Sequence, residues 1–363
     1  MDFCFSYLSL FKKSVCVVGL WVFASMAHAQ ELPWHLGSLD PTVANAPAAI
    51  NTANVKPGST DVIVAVIDSG VLSDHPALKG RLLPGYDMVS GSRNLRGGRS
   101  LDSTPDAREA KCGERVSSSA YRTHGTEVAS LIAGNGVDGV RGVNPNAKIV
   151  PVRLFGACQI ARADLLDALA WSAGLPVAGV PANPNPANVI NLSFSGGKMV
   201  CGSDLQALID KISRKGVFVV AAVGNTFGRR LAEPANCEGV ISVGAIDAEN
   251  NVESYSALDP KTVIYAPGGG RKLSGNAPWH QNKLKVASFD VSFTGGEMPV
   301  SDMRGMGTSY AAPLVSGFIA LLLSNQPNLT PTEFLTHLDR YSRAIKPTDL
   351  CSECVPRGLA LQP

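Results

Sequence analysis

The sequence carries little charge and no marked excess of either sign. Charged residues make up 17% of its 363 residues, against the ~25% of an average globular chain, and the formal net charge is +2. A net positive charge this small argues against nucleic acid as a partner. The 45% apolar content excludes an intrinsically disordered chain, and the 36 glycines follow no triplet period, which excludes a collagen-like one.

Long apolar runs are also scarce, and the one that stands out lies at the N-terminus. Two lysines precede the apolar segment 14–26, and a small-x-small pattern follows at residues 27–29. This order is typical of a secretory signal peptide over residues 1–29, with an uncleaved membrane anchor as the alternative. Because a spanning helix needs ~20 apolar residues, we favour the signal peptide and expect an exported chain with no membrane contact after cleavage.

The cysteine count fits an exported chain. Two of the eight cysteines lie in the predicted signal peptide, which leaves an even number in the remainder. An even number favours disulfides, although the spacing alone allows many pairings. The last two form a Cys-x-x-Cys pair, for which a redox or metal-binding role stays open. The six candidates are Cys112, Cys158, Cys201, Cys237, Cys351 and Cys354.

Segments typical of buried strands alternate with helical patterns along the chain. The β-branched run at 62–67 is typical of a strand buried on both faces. The alternation predicts an α/β fold with three layers, in which helices cover both faces of a mostly parallel central sheet. Residues 30–60 are expected to form an irregular arm and 85–122 a polar surface loop. Further strands are predicted at 149–154, 189–192, 217–223 and 240–245, and helices at 126–133, 163–173, 205–215 and 311–324.

Four polar residues stand at the ends of these predicted elements. Asp68 and Asn225 end strands, and His124 and Ser309 stand near the starts of helices, each beside or close to a glycine. Ligands of such sheets bind at the carboxyl ends of the strands. Each residue alone has an ordinary alternative role in a turn or a helix cap. Together they offer a nucleophile, a base, a carboxylate to orient the base and an amide donor for an oxyanion.

Five segments carry a resemblance to a known family. VIVAVIDSGV, HGTEVASLIAG, VINLSFSGG, VFVVAAVGN and GTSYAAPLVSG, spread over residues 60–325, resemble the subtilisin-like serine peptidases. The chain order Asp, His, Ser is also that of subtilisin. The resemblance implies a secreted serine endopeptidase with Ser309 as nucleophile, His124 as base, Asp68 as its orienting carboxylate and Asn225 in the oxyanion hole. It implies polypeptide substrates, an acyl-enzyme intermediate and a monomer.

The resemblance also implies where substrate binds. The peptide would lie along Ser193, Phe194, Ser195 and Gly196, although Ser195 replaces the glycine usual in the family. A second border is expected near 159–161. The primary pocket would be lined by Ala222, Val223 and Gly224. Glu233 would lie near its floor and favour a basic substrate residue, unless it simply faces solvent.

Further implications concern cross-links and ions. Likeness to exported subtilases of Gram-negative bacteria implies the pairs Cys112–Cys158, Cys201–Cys237 and Cys351–Cys354. The chemistry requires no cofactor. A structural calcium ion is doubtful, because the segment His75-Pro76-Ala77-Leu78 lacks the aspartate that many family members use. No metal ligand is therefore assigned. Three loop acids remain candidates for another ion or for simple solvated side chains: Asp87, Asp102 and Asp106.

These expectations divide the chain into four parts. They are the signal peptide 1–29, the arm 30–60, a peptidase domain 61–325 and a C-terminal extension 326–363 with the Cys-x-x-Cys pair. The arm is too short for the long pro-domain usual in the family. Two alternatives stay open: a catalytically silent subtilase fold used for binding, and an esterase of the α/β-hydrolase type. The esterase would need a G-x-S-x-G elbow and a histidine after the serine.

Overall fold

The structure is a computed structural model, and it describes most of the chain beyond residue 32. The described residues are 33–37, 50–52, 55–91, 94, 98–105, 118–155, 160–228, 230–270, 283–289, 300–345 and 357–360. Four of the candidate cysteines, Cys112, Cys158, Cys351 and Cys354, lie outside them, as do Asp106 and the predicted signal peptide.

A nine-stranded sheet forms the centre of the fold, and a two-stranded sheet lies apart from it. The central order is β10-β11-β7-β6-β5-β4-β1-β3-β2, and β10–β11 is the one antiparallel pairing among its described strands. The small sheet pairs β8 with β9 antiparallel. The strands are β1 Ile63–Asp68, β2 Tyr86–Asp87, β3 Lys148–Arg153, β4 Val189–Leu192, β5 Phe218–Ala222, β6 Ile241–Ile246, β7 Ile264–Pro267, β8 Leu284–Phe289, β9 Val300–Gly305, β10 Ser342–Ala344 and β11 Arg357–Leu359.

Helices cover both faces of the central sheet, as the sequence predicts. Val64 and Val66 of β1 point into a core that includes α1 and α4, whereas Ala65 and Ile67 point into a second core with α2 and α3. Because alternate side chains enter opposite cores, both sets must be apolar, which explains the uninterrupted apolar run. The helices are α1 Ser118–Ala133, α2 Arg162–Ser172, α3 Ser203–Arg214, α4 Thr308–Asn325 and α5 Pro331–Thr336.

Helix α4 is the central helix of the larger core. By length and composition it could cross a membrane, but 89% of it is buried inside the protein, as expected for a core helix. It begins at Thr308, immediately after Gly307. Pro313 lies in its second turn and cannot donate a hydrogen bond to the carbonyl of Ser309.

Several elements differ from the sequence-based expectations. Helix α1 begins at Ser118, eight residues before the predicted start, so His124 lies inside the helix and not at its entrance. Strand β2 and the first residues of α1 occupy parts of the expected surface loop. Strands β8 and β9 were not predicted. Beyond residue 325, α5 is closed by a capping box between Thr330 and Glu333, and β10 and β11 extend the central sheet.

Candidate active site

The four candidate residues meet at the edge formed by the carboxyl ends of the parallel strands. Asp68 is the last residue of β1, and Asn225 follows the end of β5. His124 comes from α1 and Ser309 from the first turn of α4. A cavity of about 580 Å³ opens here and is lined by His124, Ser309 and Asn225 among others. The fold therefore brings together side chains that are far apart along the chain.

The carboxylate of Asp68 is directed at the ring of His124. Its two oxygens lie 2.8 and 2.9 Å from His124 Nδ1, and the backbone N–H of Ser69 donates to Oδ1 at 2.7 Å. Asp68 is fully buried, whereas 19% of the His124 side chain is exposed. A carboxylate accepts from a protonated Nδ1, which leaves Nε2 as the proton acceptor.

A glycine makes this approach of α1 to β1 possible. A β-carbon at Gly125 would lie 2.2 Å from the carbonyl oxygen of Gly70 and 3.2 Å from Cβ of Asp68. The carbonyl oxygen is too close for any larger residue, and the contact with Asp68 would also be tight. The glycine after His124 therefore lets the helix approach the end of the strand closely enough for the histidine to reach the carboxylate.

The surroundings of His124 favour its charged form. Burial lowers the pKa of His124, but the charge and hydrogen bond of Asp68 and the charge of Glu127 outweigh it. The net result is a pKa above the ordinary value of 6.5. A base with a raised pKa accepts a proton more readily, and the same charges stabilise the imidazolium that results.

Ser309 and Asn225 share a small space created by Gly307. A β-carbon at Gly307 would lie 3.2 Å from Asn225 Nδ2 and 3.3 Å from Ser309 Oγ, and the residue has a φ of 146°. Ser309 Oγ and His124 make no hydrogen bond to each other in the part of the chain that the structure describes. They border the same cavity, and such contacts commonly form only when substrate is bound.

The amide of Asn225 is held in one orientation. Its Oδ1 accepts hydrogen bonds from the backbone N–H and the hydroxyl of Thr308, both at 3.0 Å. Thr308 Oγ1 also accepts from the N–H of Gly224 at 3.1 Å. Because the oxygen is occupied, Nδ2 is left as a donor beside Ser309 Oγ. This is the arrangement that an oxyanion hole requires.

Most of the predicted substrate-binding residues line the cavity. Val223 does not line it, because its side chain is buried in a cluster with Leu231 and Ala257. Of the second predicted border, Ile160 lines the cavity and residue 159 is outside the described residues. Sequence reasoning missed several lining residues, among them Phe155, Leu165 and Arg162. The predicted residues found on the lining are Ser193, Phe194, Ser195, Gly196, Ala222 and Gly224.

Glu233 is buried beside the cavity, so the prediction of a solvent-facing side chain is wrong. It is 4% exposed; its Oε2 accepts from Arg162 Nη1 at 2.6 Å and its Oε1 from the N–H of Gly202 at 2.6 Å. Arg162 donates in turn to Asp204, with Nε 2.7 Å from Oδ2. The hydrogen bonds to Asp204 and then Glu233 raise the pKa of Arg162, which stays charged. Glu233 is therefore paired with a permanent cation, which it shares with the half-exposed Asp204.

The predicted peptide-binding edge, residues 193–196, is joined to the segment that carries Glu233 by backbone hydrogen bonds and a disulfide. The N–H of Gly196 donates to the carbonyl of Glu233 at 2.9 Å, and the N–H of Glu233 donates to the carbonyl of Lys198 at 3.0 Å. The disulfide Cys201–Cys237, with an S–S distance of 1.98 Å, joins the same two segments. It is one of the three cross-links that the resemblance implies.

Two of the three candidate ion-binding acids, Asp87 and Asp102, have protein partners, and Asp106 lies outside the described residues. Asp87 is fully buried, forms an ion pair with Arg153 and accepts from the N–H of Val89 at 3.0 Å. Asp102 accepts from the N–H of Thr104 at 3.1 Å. No group of three or more His, Cys, Asp or Glu side chains suited to a metal ion occurs within the described ranges. These contacts give Asp87 and Asp102 a structural role.

Comparison with known sequences points to one family. The subtilase family model matches residues 59–348. An extracellular protease of Xanthomonas campestris is 35% identical over 312 residues, which cover 83% of this chain and 50% of that protein. An extracellular basic protease of Dichelobacter nodosus is 37% identical over 292 residues, covering 75% and 45%. The chain thus spans about half the length of these curated relatives.

Comparison with solved structures points the same way. A protease structure from Pseudoalteromonas arctica has 31% sequence identity and a TM-score of 0.75, and covers 90% of this chain and 94% of that chain. A cold-adapted subtilisin-like serine proteinase, at 22% identity and a TM-score of 0.65, shares the fold. Since the family model matches most of the sequence and the same fold recurs in these structures, the chain belongs to the subtilase family.

Proposed function

We propose that the protein is an exported serine endopeptidase that cleaves peptide bonds in polypeptides. The observation that carries the proposal is the buried carboxylate of Asp68 on His124 Nδ1, at the edge of a cavity that Ser309 and Asn225 also line. Membership of the subtilase family and likeness to proteases named extracellular support it. The cavity residues offer a general base, a nucleophile and an oxyanion donor without a bound cofactor.

In the first half of the reaction Ser309 attacks the peptide carbonyl carbon. Its Oγ forms a bond to that carbon while the hydroxyl proton passes to His124 Nε2, and the carbonyl oxygen becomes an oxyanion. The C–N bond then breaks, and the imidazolium gives its proton to the leaving amine. Asp68 holds the ring in the correct tautomer and stabilises its charged form without taking the proton itself.

The oxyanion is stabilised by two donors. One is Asn225 Nδ2, which is fixed by the contacts of its amide oxygen with Thr308. The other is the backbone N–H of Ser309, because the first N–H groups of a helix have no acceptor within the helix. In the second half a water takes the place of the amine: it loses a proton to His124, forms the C–O bond, and Ser309 leaves with a proton.

The substrate chain is proposed to lie extended along Ser193–Gly196, with one side chain in the cavity. Several of the surrounding side chains are large and apolar, among them Phe155, Leu165 and Phe194. Since the charge of Glu233 is matched by Arg162, the pocket favours an apolar side chain over lysine or arginine. In this proposal the protein is a monomer that acts on polypeptides in the periplasm or outside the cell. It binds neither nucleic acid nor a membrane.

The test is labelling and peptide cleavage by the purified chain. A fluorophosphonate should label the wild type, and Ser309→Ala should abolish both labelling and cleavage. Ser59→Ala and His337→Ala, at exposed positions away from the cavity, are matched controls that should behave as the wild type. A silent binding fold would show no labelling in any of these proteins. Cleavage of esters but not of peptides would favour the esterase alternative.

A further inference from the structure

A buried acid beside the triad has no part in the reaction as described so far. Glu127 follows His124 by three residues on α1, so both side chains lie on the same face of the helix. It is 2% exposed. Burying a carboxylate is unfavourable unless it is well paired, so a residue of this kind next to a reactive histidine calls for an explanation.

The partners of Glu127 link it to the helix of the nucleophile. Tyr310, the residue after Ser309, donates its hydroxyl to Glu127 Oε2 at 2.5 Å, and Ser288 Oγ donates to Oε1 at 3.1 Å. The rings of Tyr310 and His124 meet edge to face, with centroids 6.0 Å apart. Within the described residues Glu127 forms no ion pair with a lysine or arginine. Its charge is therefore held by neutral hydroxyls alone.

The charged and titratable groups around His124 come from three elements. Asp68 faces it from β1, Glu127 from its own helix, and Tyr310 from α4. Burial first, and then the charges of Glu127 and Asp68, raise the pKa of Tyr310 well above its ordinary value, so the phenol remains a neutral donor. Asp68 and Glu127 are then the two negative charges that act on the imidazole.

We propose that Glu127 and Tyr310 form a positioning pair for the catalytic triad. Glu127 supplies a second buried negative charge that stabilises the protonated form of His124 during the reaction. Tyr310 ties the start of the nucleophile helix to the helix that carries the base, and so fixes Ser309 relative to His124. This proposal rests on the proposed peptidase function, and neither residue touches the substrate.

Two variants separate the two roles. Glu127→Gln keeps the shape and an acceptor for Tyr310 but removes the charge, so the acid limb of the kcat/KM profile should move to lower pH by roughly 0.5–1 unit. Tyr310→Phe keeps the ring and the charge but loses the tether, so kcat should fall roughly 3- to 10-fold with little change in KM. Tyr341→Phe, a buried tyrosine remote from the site, is the matched control and should match the wild type.

A second readout keeps the test independent of activity. The pH titration of His124 by NMR should have a lower midpoint in Glu127→Gln than in the wild type. An unchanged midpoint would overturn the charge role, and an unchanged kcat in Tyr310→Phe would overturn the tether. If Glu127→Gln does not fold, Glu127→Asp, which withdraws the charge by one methylene, should also lower the midpoint. A wild type that neither labels nor cleaves defeats the peptidase function, while the NMR midpoint still decides the role of Glu127.

Discussion

Buried acids lie near two ends of the cavity, the end with His124 and Ser309 and the end with Arg162 and Glu233, and they are paired differently at each. At the reactive end, Asp68 and Glu127 contact a histidine and neutral hydroxyls. At the other end, Glu233 contacts Arg162, which also binds Asp204. A neutralising cation fixes structure and removes the acid's influence on its neighbours. Acids without a cation keep their electrostatic effect on their neighbours, and here that effect acts on His124, the group that gains and loses a proton in the proposed reaction.

The largest difference between the two ends should appear when one acid at each is made neutral. Asp68→Asn should lower kcat by about 10⁴, because the histidine loses both its tautomer control and its counter-charge. Asp204→Asn, at the compensated end, should leave kcat within a few-fold of the wild type. Steady-state kinetics on one peptide would measure both. Comparable losses in the two variants would remove the distinction between the ends.

An intermediate effect, on substrate preference, is expected when Arg162, the cation paired with Glu233, is replaced. Arg162→Gln leaves the charge of Glu233 unmatched beside the cavity. The ratio of kcat/KM for a lysine substrate to that for a leucine substrate should rise about tenfold, since a hydrogen bond to a charged group is worth about 1.5–3 kcal/mol. A peptide library that varies the residue before the cleaved bond would measure it.

The control for this prediction is the double variant. Adding Glu233→Gln to Arg162→Gln removes the unmatched charge and should restore the preference for apolar residues. A lysine preference already present in the wild type would mean that Glu233 acts on substrate in spite of Arg162. A preference unaltered in Arg162→Gln would mean that Glu233 does not reach the substrate at all.

The smallest expected effect is the pH dependence of kcat/KM and of the free energy of unfolding. The raised pKa of His124 predicts that kcat/KM falls as the pH drops through a midpoint above 6.5, because the base must be neutral. Stability should change in the opposite direction. A group whose pKa is higher in the folded than in the unfolded state stabilises the fold fully at pH values below its unfolded-state pKa. That contribution is lost as the pH rises through the folded-state pKa. The Asp68–His124 pair should thus stabilise the fold most at the pH values where the proposed activity is lowest.

Chemical unfolding at several pH values would check whether stability falls with rising pH as kcat/KM increases. The difference in unfolding free energy between the wild type and Asp68→Asn should shrink as the pH rises. A difference that is constant or grows with pH would contradict the raised pKa of His124.

The sequence predicted best where local pattern and tertiary environment agree. The β-branched run before Asp68 is recognisable because both faces of β1 are buried. The predicted start of α1 is too late, because the sequence of Ser118–Thr123 has weak helical character of its own. Strands β8 and β9 form a separate small sheet, outside the alternation of strands and helices that revealed the central one.

The pairings of the charged groups could not be read from the sequence. Glu233 and Arg162 are 71 positions apart, and Tyr310 and Glu127 are 183 apart. The family motifs indicate the triad candidates, but they assign no role to Glu127 and Tyr310, which lie inside the same motifs. What a side chain faces depends on the fold of the whole domain, and the residue type alone does not give it.

The disulfide Cys201–Cys237 has a consequence for when the protein can work. It holds the edge along which we propose that substrate lies, together with backbone hydrogen bonds between the same segments. Disulfides persist in oxidising compartments and are rare in the reducing cytosol. In the reducing cytosol this edge would be held by hydrogen bonds and packing without the covalent link. If the chain is the exported peptidase that we propose, the cross-link delays completion of its cleft until the proteins of the producing cell's cytosol are out of reach.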